Sequence, residues 1–501
     1  MGLPKALPLL MVGAAATLAK ARRKTTDSLI YLYSTCGARQ LSRYPVAMAS
    51  EVTSPLPAAV ARESESALQP TTPAERISSI DVLRGAALLG IALMNIVFSG
   101  LPMAADWNPK VSGGAAGANL LSFFLQYVLF DGKMRGLFSI MFGASTYLFI
   151  TRLDRKGAGL RAAEIFYRRI LWLMVFGIIH AYLIWAGDIL YAYSLLGLML
   201  LPLLRLRPRT LLITAGVMVL LMSAYFVVQG FQIRKVHDLA MEAEKAEAAH
   251  KALTDEQKEA KNGWEEQRKY FSPTADDLRK EREQYQGSYF HLVAKRAAVV
   301  KGFHSTPIYL SGWDMLTMML VGIALLKTGV LAGERSFRFY WRLLFLSCAI
   351  GLPIGTYSAW MAWKQGFEPL QTVFTFSTYQ AARVAMTLGH AALLLLLFKY
   401  DVLRGLQTRL AAVGQTAFSN YIAHSIFYGF VFYGYGLNLF DKLQRYQLYY
   451  VVIGLWIFSL VVSPIWLRYF RFGPLEWAWR SLTYWKRQPM RRLIALTETA
   501  P

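Results

Sequence analysis

Apolar residues in this chain come in long, almost charge-free runs, separated by short polar segments rich in Arg and Lys. Ten runs stand out: 79–101, 122–151, 168–186, 188–205, 210–229, 305–331, 338–362, 372–398, 412–435 and 448–467. A helix crossing a hydrocarbon core of about 30 Å needs roughly 20 apolar residues. The bilayer offers backbone groups no water, so each run is predicted to be a helix that satisfies its own hydrogen bonds. The expected fold is all-α, a polytopic membrane protein of about ten transmembrane helices. Five fall in a first half, 76–230, and five in a second, 304–470.

Three stretches break this pattern. Residues 231–303 mix acids and bases, with Glu242, Glu244, Glu247 and Glu265 set among Lys245, Lys251, Lys258 and Arg268. The Ala/Glu/Lys-rich 239–271 predicts a solvated helix, Pro273 ends it, and 278–300 predicts a second. The pair forms an external helical hairpin, either a cap over a cavity or a spacer. In 471–501, Pro474 suits a first helical position, and Trp477, Trp479, Tyr484 and Trp485 stand among Arg480, Lys486 and Arg487. That composition predicts a helix lying in the membrane interface, in which Glu476 and Arg480 can pair, followed by a cytoplasmic tail. Residues 1–75 lack sustained periodicity and are expected to be disordered. They read as an uncleaved extension, a transit-like segment, or the product of an upstream start with the protein beginning near Met48; the last is favoured.

Charge refines the picture. Only 17% of residues are charged and 55% are hydrophobic, against about 25% charged in soluble domains. With the N-terminus inside, the inward loops hold Arg152, Arg155, Lys156 and Arg161, then Arg205, Arg207 and Arg209, then Arg335, Arg338 and Arg342, then Lys399, Arg404 and Arg409. Outward loops hold little beyond Lys110, Lys364, Lys442 and Arg445. The asymmetry places both termini in the cytoplasm. It also accounts for the net charge of +23 without nucleic acid as a partner. Cys36 and Cys348 offer neither metal spacing nor a disulfide framework, so no metal is expected.

Ionisable groups at membrane depth are costly and mark functional candidates. Asp81 and Arg84 are three apart in the first helix and can pair. Asn95, eleven residues beyond Arg84, shares its face about 16 Å deeper. His180 lies in the outer half of the third helix, and Asp188 opens the fourth after a tight turn. In a simple hairpin His180 faces Tyr193, and a direct bond to Asp188 needs an irregular turn. The pair is either a base with its orienting carboxylate or a polar tie between helices. His424 is a further pocket candidate, whereas His390 is read as structural. Lys133 and Arg135, at the start of the second helix, could bind an anion, but their side of the membrane stays open because 119–131 can be re-entrant.

The segments IDVLRGAALLGIALMNI, LFSIMFGAS, GIIHAYLIWAGDILYAYSLLG, VGQTAFSNYIAHS, FYGYGLNLF and SPIWLRYFRFGPLEWAWRSLTYW, spread over 75–487, resemble the YeiB family of bacterial membrane proteins. That family has carried a transport label. More remotely, the chain resembles transmembrane acyltransferases of the acyltransferase-3 and heparan N-acetyltransferase groups, which use cytoplasmic acyl-CoA to acylate a glycan across the membrane. The resemblance implies an acyl-CoA donor, acetyl-CoA first, and a glycan or small hydroxyl or amine acceptor. One departure matters. The acyltransferase-3 pattern puts a catalytic His where Asn95 stands, and the heparan-type enzymes place theirs in the following loop, where Ala104-Ala-Asp-Trp-Asn has none. His180 is then the remaining base, with Asp188 as orienter, Arg84 and Asn95 on the donor side, and Asp81, Tyr193 and His424 near the substrate. A permease for a small polar metabolite is the alternative, although no internal repeat supports it. A structural or regulatory role without turnover, and self-association, stay open.

Overall fold

The computed structural model describes residues 77–305 and 311–492. The expectations for residues 1–75, including the start near Met48, lie outside the described residues, as does the end of the tail.

The described residues are helical throughout, apart from turns and one isolated bridge between Phe470 and Arg491. In chain order the helices are α1 (Ser78–Gly100), α2 (Gly117–Leu125), α3 (Lys133–Arg155), α4 (Leu160–Ile179), α5 (Leu190–Leu203), α6 (Pro208–Ala248), α7 (Asp255–Phe271), α8 (Ala275–Tyr285) and α9 (Tyr289–Ser305). Then follow α10 (Ser311–Lys327), α11 (Phe337–Lys364), α12 (Pro369–Lys399), α13 (Arg404–Gln415), α14 (Ala417–Phe432), α15 (Arg445–Tyr469) and α16 (Pro474–Tyr484). Among the described residues six stretches are long and apolar enough to cross a membrane: α1, Gly117–Arg155, α6, α11, Thr375–Lys399 and α15. The other four expected runs are shorter or interrupted helices. The third ends in a π-helical turn, His180–Ile184, and the fourth is the 14-residue α5. The ninth is split at Thr416 into α13 and α14. The chain is an all-α polytopic membrane protein.

The 231–303 insertion differs from the expected hairpin. α6 runs unbroken out of its apolar stretch for 41 residues, because nothing in 229–248 stops it. The stop comes at His250, in the left-handed region (φ 55°), and Thr254 then starts α7 with a capping box completed by Gln257. As expected, α7 ends before Pro273. The helix predicted at 278–300 is broken at Gln286–Ser288 into α8 and α9.

Together these helices cover one face of the bundle. Glu281 accepts from the Met103 amide (2.9 Å), and Asn108 donates to the Phe271 carbonyl (3.2 Å). Arg282 pairs with Asp441 (2.5 Å), and Arg296 donates to the Leu183 carbonyl (2.5 Å). The loops after α1, after α4 and after α14 therefore share a face, hereafter the cap face. That is the grouping strict alternation of the runs requires. The opposite face carries α16, which is folded back against α4.

Candidate functional site

The central cavity forms where backbones touch. A Cβ on Gly85 would collide with the Leu410 carbonyl, and one on Gly414 with the Asp81 carbonyl. Only two glycines let α1 and α13 cross this closely. Between this crossing and α3, α4, α5, α14 and α16 lies a cavity of about 240 Å³. That is more than ten times the room a single water needs, so it is of ligand size.

The end of the cavity away from the cap is basic. Arg84, Arg152, Arg169 and Arg480 line it, against the carboxylates of Asp81 and Glu476. Asp81 and Arg84 do pair (3.1 Å), and Arg84 also donates to Ser145 Oγ (2.9 Å) and the Gly414 carbonyl (3.2 Å). These bonds fix the guanidinium at the wall. Arg169 lies 3.6 Å from the centre of the Trp479 ring, whose indole N–H donates to the Arg169 carbonyl (2.8 Å). Cation–π stacking of this kind holds a guanidinium in place while leaving its edge able to hydrogen-bond.

Glu476 does not pair with Arg480 as the sequence suggested. Its carboxylate instead accepts from the amides of Phe418 (2.7 Å) and Ser419 (3.1 Å) and from the Ser419 hydroxyl (2.5 Å), capping the start of α14. Burial pushes its pKa above the ordinary glutamate value, opposed by those hydrogen bonds. The tail helix is thus a wall of the cavity as well as an amphipathic surface segment.

Deeper in, Phe138, Phe142, Phe166 and Leu173 make the lining apolar, and Tyr193 and Tyr421 close it. Behind Tyr421, with ring centres 5.1 Å apart, stands His180, fully buried. The π-helical turn inserts the irregularity that a direct bond needs, and His180 Nδ1 lies 2.8 Å from Asp188 Oδ1. The Asp188 carboxylate also accepts from the amides of Leu190 (3.1 Å) and Tyr191 (2.7 Å). With two amides already donating to the carboxylate, the Nδ1–H tautomer fits this contact, and in the neutral imidazole Nε2 then carries the lone pair. That Nε2 is buried and has no hydrogen-bond partner.

The other candidates separate. Tyr193 bonds Ser139 Oγ (2.6 Å) and belongs to the cavity floor. Asn95 is half-buried and lies outside the lining. His424 also lies outside it, with Nε2 2.9 Å from Ser459 Oγ, tying α14 to α15. His390 Nδ1 bonds the Met386 carbonyl of its own helix (2.7 Å). Sequence reasoning passed over Asp314 and Arg383, charges set within apolar runs that meet in the interior. Their place in those runs was the available signal. Arg169 and Trp479 are 310 positions apart, and nothing in the sequence links them. Among the described residues no group of His, Cys, Asp and Glu is arranged to hold a metal ion.

Residues 325–486 match the family model described as "Protein of unknown function (DUF418)". The chain is 29% identical to the uncharacterized protein YxaH of Bacillus subtilis (strain 168) over 446 residues, 85% of this chain and 99% of that protein. It is 29% identical to the uncharacterized protein YeiB of Escherichia coli (strain K12) over 414 residues, 82% and 96% of the two chains. A relative from Bacillus acidopullulyticus, the uncharacterized 39.9 kDa protein in the amylase 3' region, is 26% identical over 418 residues, 83% and 96%. The chain is thus similar over most of its length to YxaH and YeiB, and similar in its second half to the DUF418 model.

Proposed function

We propose that the protein is a membrane acyltransferase, moving an acyl group from acyl-CoA, acetyl-CoA first, to a glycan or small hydroxyl or amine acceptor presented from the cap face. One observation carries this reading: a single cavity joins an arginine-lined mouth to an apolar interior that ends one ring short of a buried His–Asp pair. Arginines recognise phosphates. The apolar barrel suits an acyl chain and the thin arm that bears it, and an imidazole with a free Nε2 is a general base.

In this reading Arg84, Arg169 and Arg480 hold the phosphates of the donor on the cytoplasmic side of a bacterial inner membrane. The acceptor oxygen or nitrogen attacks the thioester carbonyl while His180 Nε2 takes its proton. The C–S bond breaks, and the imidazolium returns the proton to the departing thiolate. Asp188 stabilises the imidazolium through Nδ1–H. Reaching Nε2 from the cavity requires the Tyr421 ring to swing, which breaks one 3.2 Å bond from the Ile189 amide.

The permease alternative calls for a midplane site between two pseudo-symmetric halves. Equilibrium binding of acyl-CoA to the purified protein tests the proposal.

A further inference from the structure

A second concentration of charge lies towards the cap face, behind the floor of the cavity. Asp314 of α10 is 4% exposed and receives two guanidiniums from different helices: Arg135 of α3 at 2.9 Å, and Arg383 of α12. Lys133, the first residue of α3, is buried and donates to the Tyr127 carbonyl (2.5 Å). Asp131 accepts from the Tyr379 hydroxyl (3.0 Å). Gly132, at φ 66°, brings this segment against Arg383: a Cβ there would meet the Tyr379 hydroxyl and the Arg383 side chain. Three cations thus face two carboxylates. The next neighbours, Arg445 and Asp106, add one charge of each sign and leave the surplus.

A structural ion pair explains only part of this. One carboxylate balances one guanidinium, and a surplus cation buried in a membrane protein is expensive. Moreover, Nε of Arg135 and of Arg383 are both buried without a hydrogen-bond partner, although Arg383 is 1% exposed. The Arg135 side chain is different, with 31% of its surface open. The cluster therefore has a surplus charge, two unused donors and a point of access.

We infer that Arg135 and Arg383, with Lys133 beside them, form an oxyanion-binding site for a carboxylate or phosphate group that arrives from the cap face. Guanidiniums offer such a group fork-shaped donors that a lone ammonium cannot. Tyr193 connects the two regions: it lines the cavity, and its hydroxyl lies 3.3 Å from the Arg135 carbonyl. The site stands whether or not the cavity turns over acyl-CoA. If the proposed acyl transfer holds, the site names the acceptor as an anionic one.

The oxyanion can belong to a free solute or to a lipid headgroup, and one experiment separates them. The full chain is placed in nanodiscs of phosphatidylcholine alone and titrated with inorganic phosphate and with acetate, using choline chloride to match ionic strength and glucose as a neutral control. The readout is the thermal midpoint together with calorimetric binding; neither acyl-CoA nor turnover enters. A saturable rise with either oxyanion and none with glucose is expected. Arg383→Gln and Arg135→Gln should each weaken it about tenfold or more, with Arg135→Lys in between. Where phosphatidylglycerol discs already show the stabilisation, and free phosphate adds nothing, the headgroup is the ligand. The inference is overturned if neither the free oxyanions nor phosphatidylglycerol shifts the midpoint. It is equally overturned if Arg135→Gln responds like wild type, a result that remains decisive should Arg383→Gln fail to fold.

Discussion

His180 and Asp188 are eight residues apart and bonded at 2.8 Å across the α4–α5 turn, with both side chains withdrawn from solvent. A regular helix would have carried the ring away from the carboxylate; the π-helical turn at His180–Ile184 turns it back. If Nε2 is the base, His180→Gln keeps the shape and loses the proton acceptor. Acyl transfer should then fall by at least about 10²-fold, with unchanged yield of folded protein. Asp188→Asn should also lower turnover while leaving donor affinity intact, as steady-state kinetics would reveal. Near-normal turnover in His180→Gln would make the pair a polar tie.

Arg169 stacks on Trp479 at the mouth, on the donor side of the proposed reaction. Arg169→Gln should raise KM for acyl-CoA roughly tenfold and change kcat little, because phosphate contacts far from the thioester contribute equally to ground and transition states. Trp479→Ala should act in the same direction through loss of the stack. A fall in kcat with unchanged KM would place Arg169 outside the donor site.

Gly85 and Gly414 interlock α1 with α13 by backbone contact. Gly85→Ala forces the helices apart and should destabilise the protein by about 1–3 kcal/mol, the usual range for overpacking a close contact. A thermal-shift series in detergent would show it as a lowered midpoint. Gly216, on α6, has open space around it, and Gly216→Ala should be neutral or better.

How much of this was readable in the sequence varies with the physics behind each feature. Six of the ten apolar runs correspond, among the described residues, to helices of membrane-crossing length, because length and charge depletion are local properties. Asp81–Arg84 was legible for the same reason, being three apart on one helix. The His180–Asp188 bond was legible only as a condition, since the turn that allows it is set by packing. The cap was misread at 249–254, where Thr254 and Gln257 form a capping box inside an otherwise helix-favouring composition. Glu476 was misread as a partner of Arg480 because a local pair competes with a long-range one, and three donors at α14 outweigh one guanidinium. The Arg135–Asp314–Arg383 cluster needed three helices to be brought together.

Asp106, in the loop after α1, offers a test by pH. Burial and the charge of Asp131 raise its pKa from 3.8 to about 7, opposed by Arg445 and Arg135. A carboxyl raised on folding favours the folded state in its protonated form. Its contribution is complete below the unfolded pKa and is lost as pH climbs towards 7. Asp106→Asn mimics the protonated form, so its thermal midpoint relative to wild type should rise between pH 4 and pH 7 and level off above. A pH-independent difference would show that Asp106 does not titrate in this window.

The central claim, that the arginine-lined cavity receives acyl-CoA, is tested most directly by equilibrium binding of acetyl-CoA to the purified full chain. Calorimetry should return saturable binding of one acetyl-CoA per chain. Desulfo-CoA, which keeps the phosphates, should compete, and acetyl-pantetheine, which lacks the nucleotide, should bind at least about tenfold more weakly. Arg169→Gln combined with Arg480→Gln should weaken acetyl-CoA by a similar factor, whereas His180→Gln should leave it unchanged. Absence of saturable binding by any acyl-CoA, or binding indifferent to the two arginines, would contradict the account.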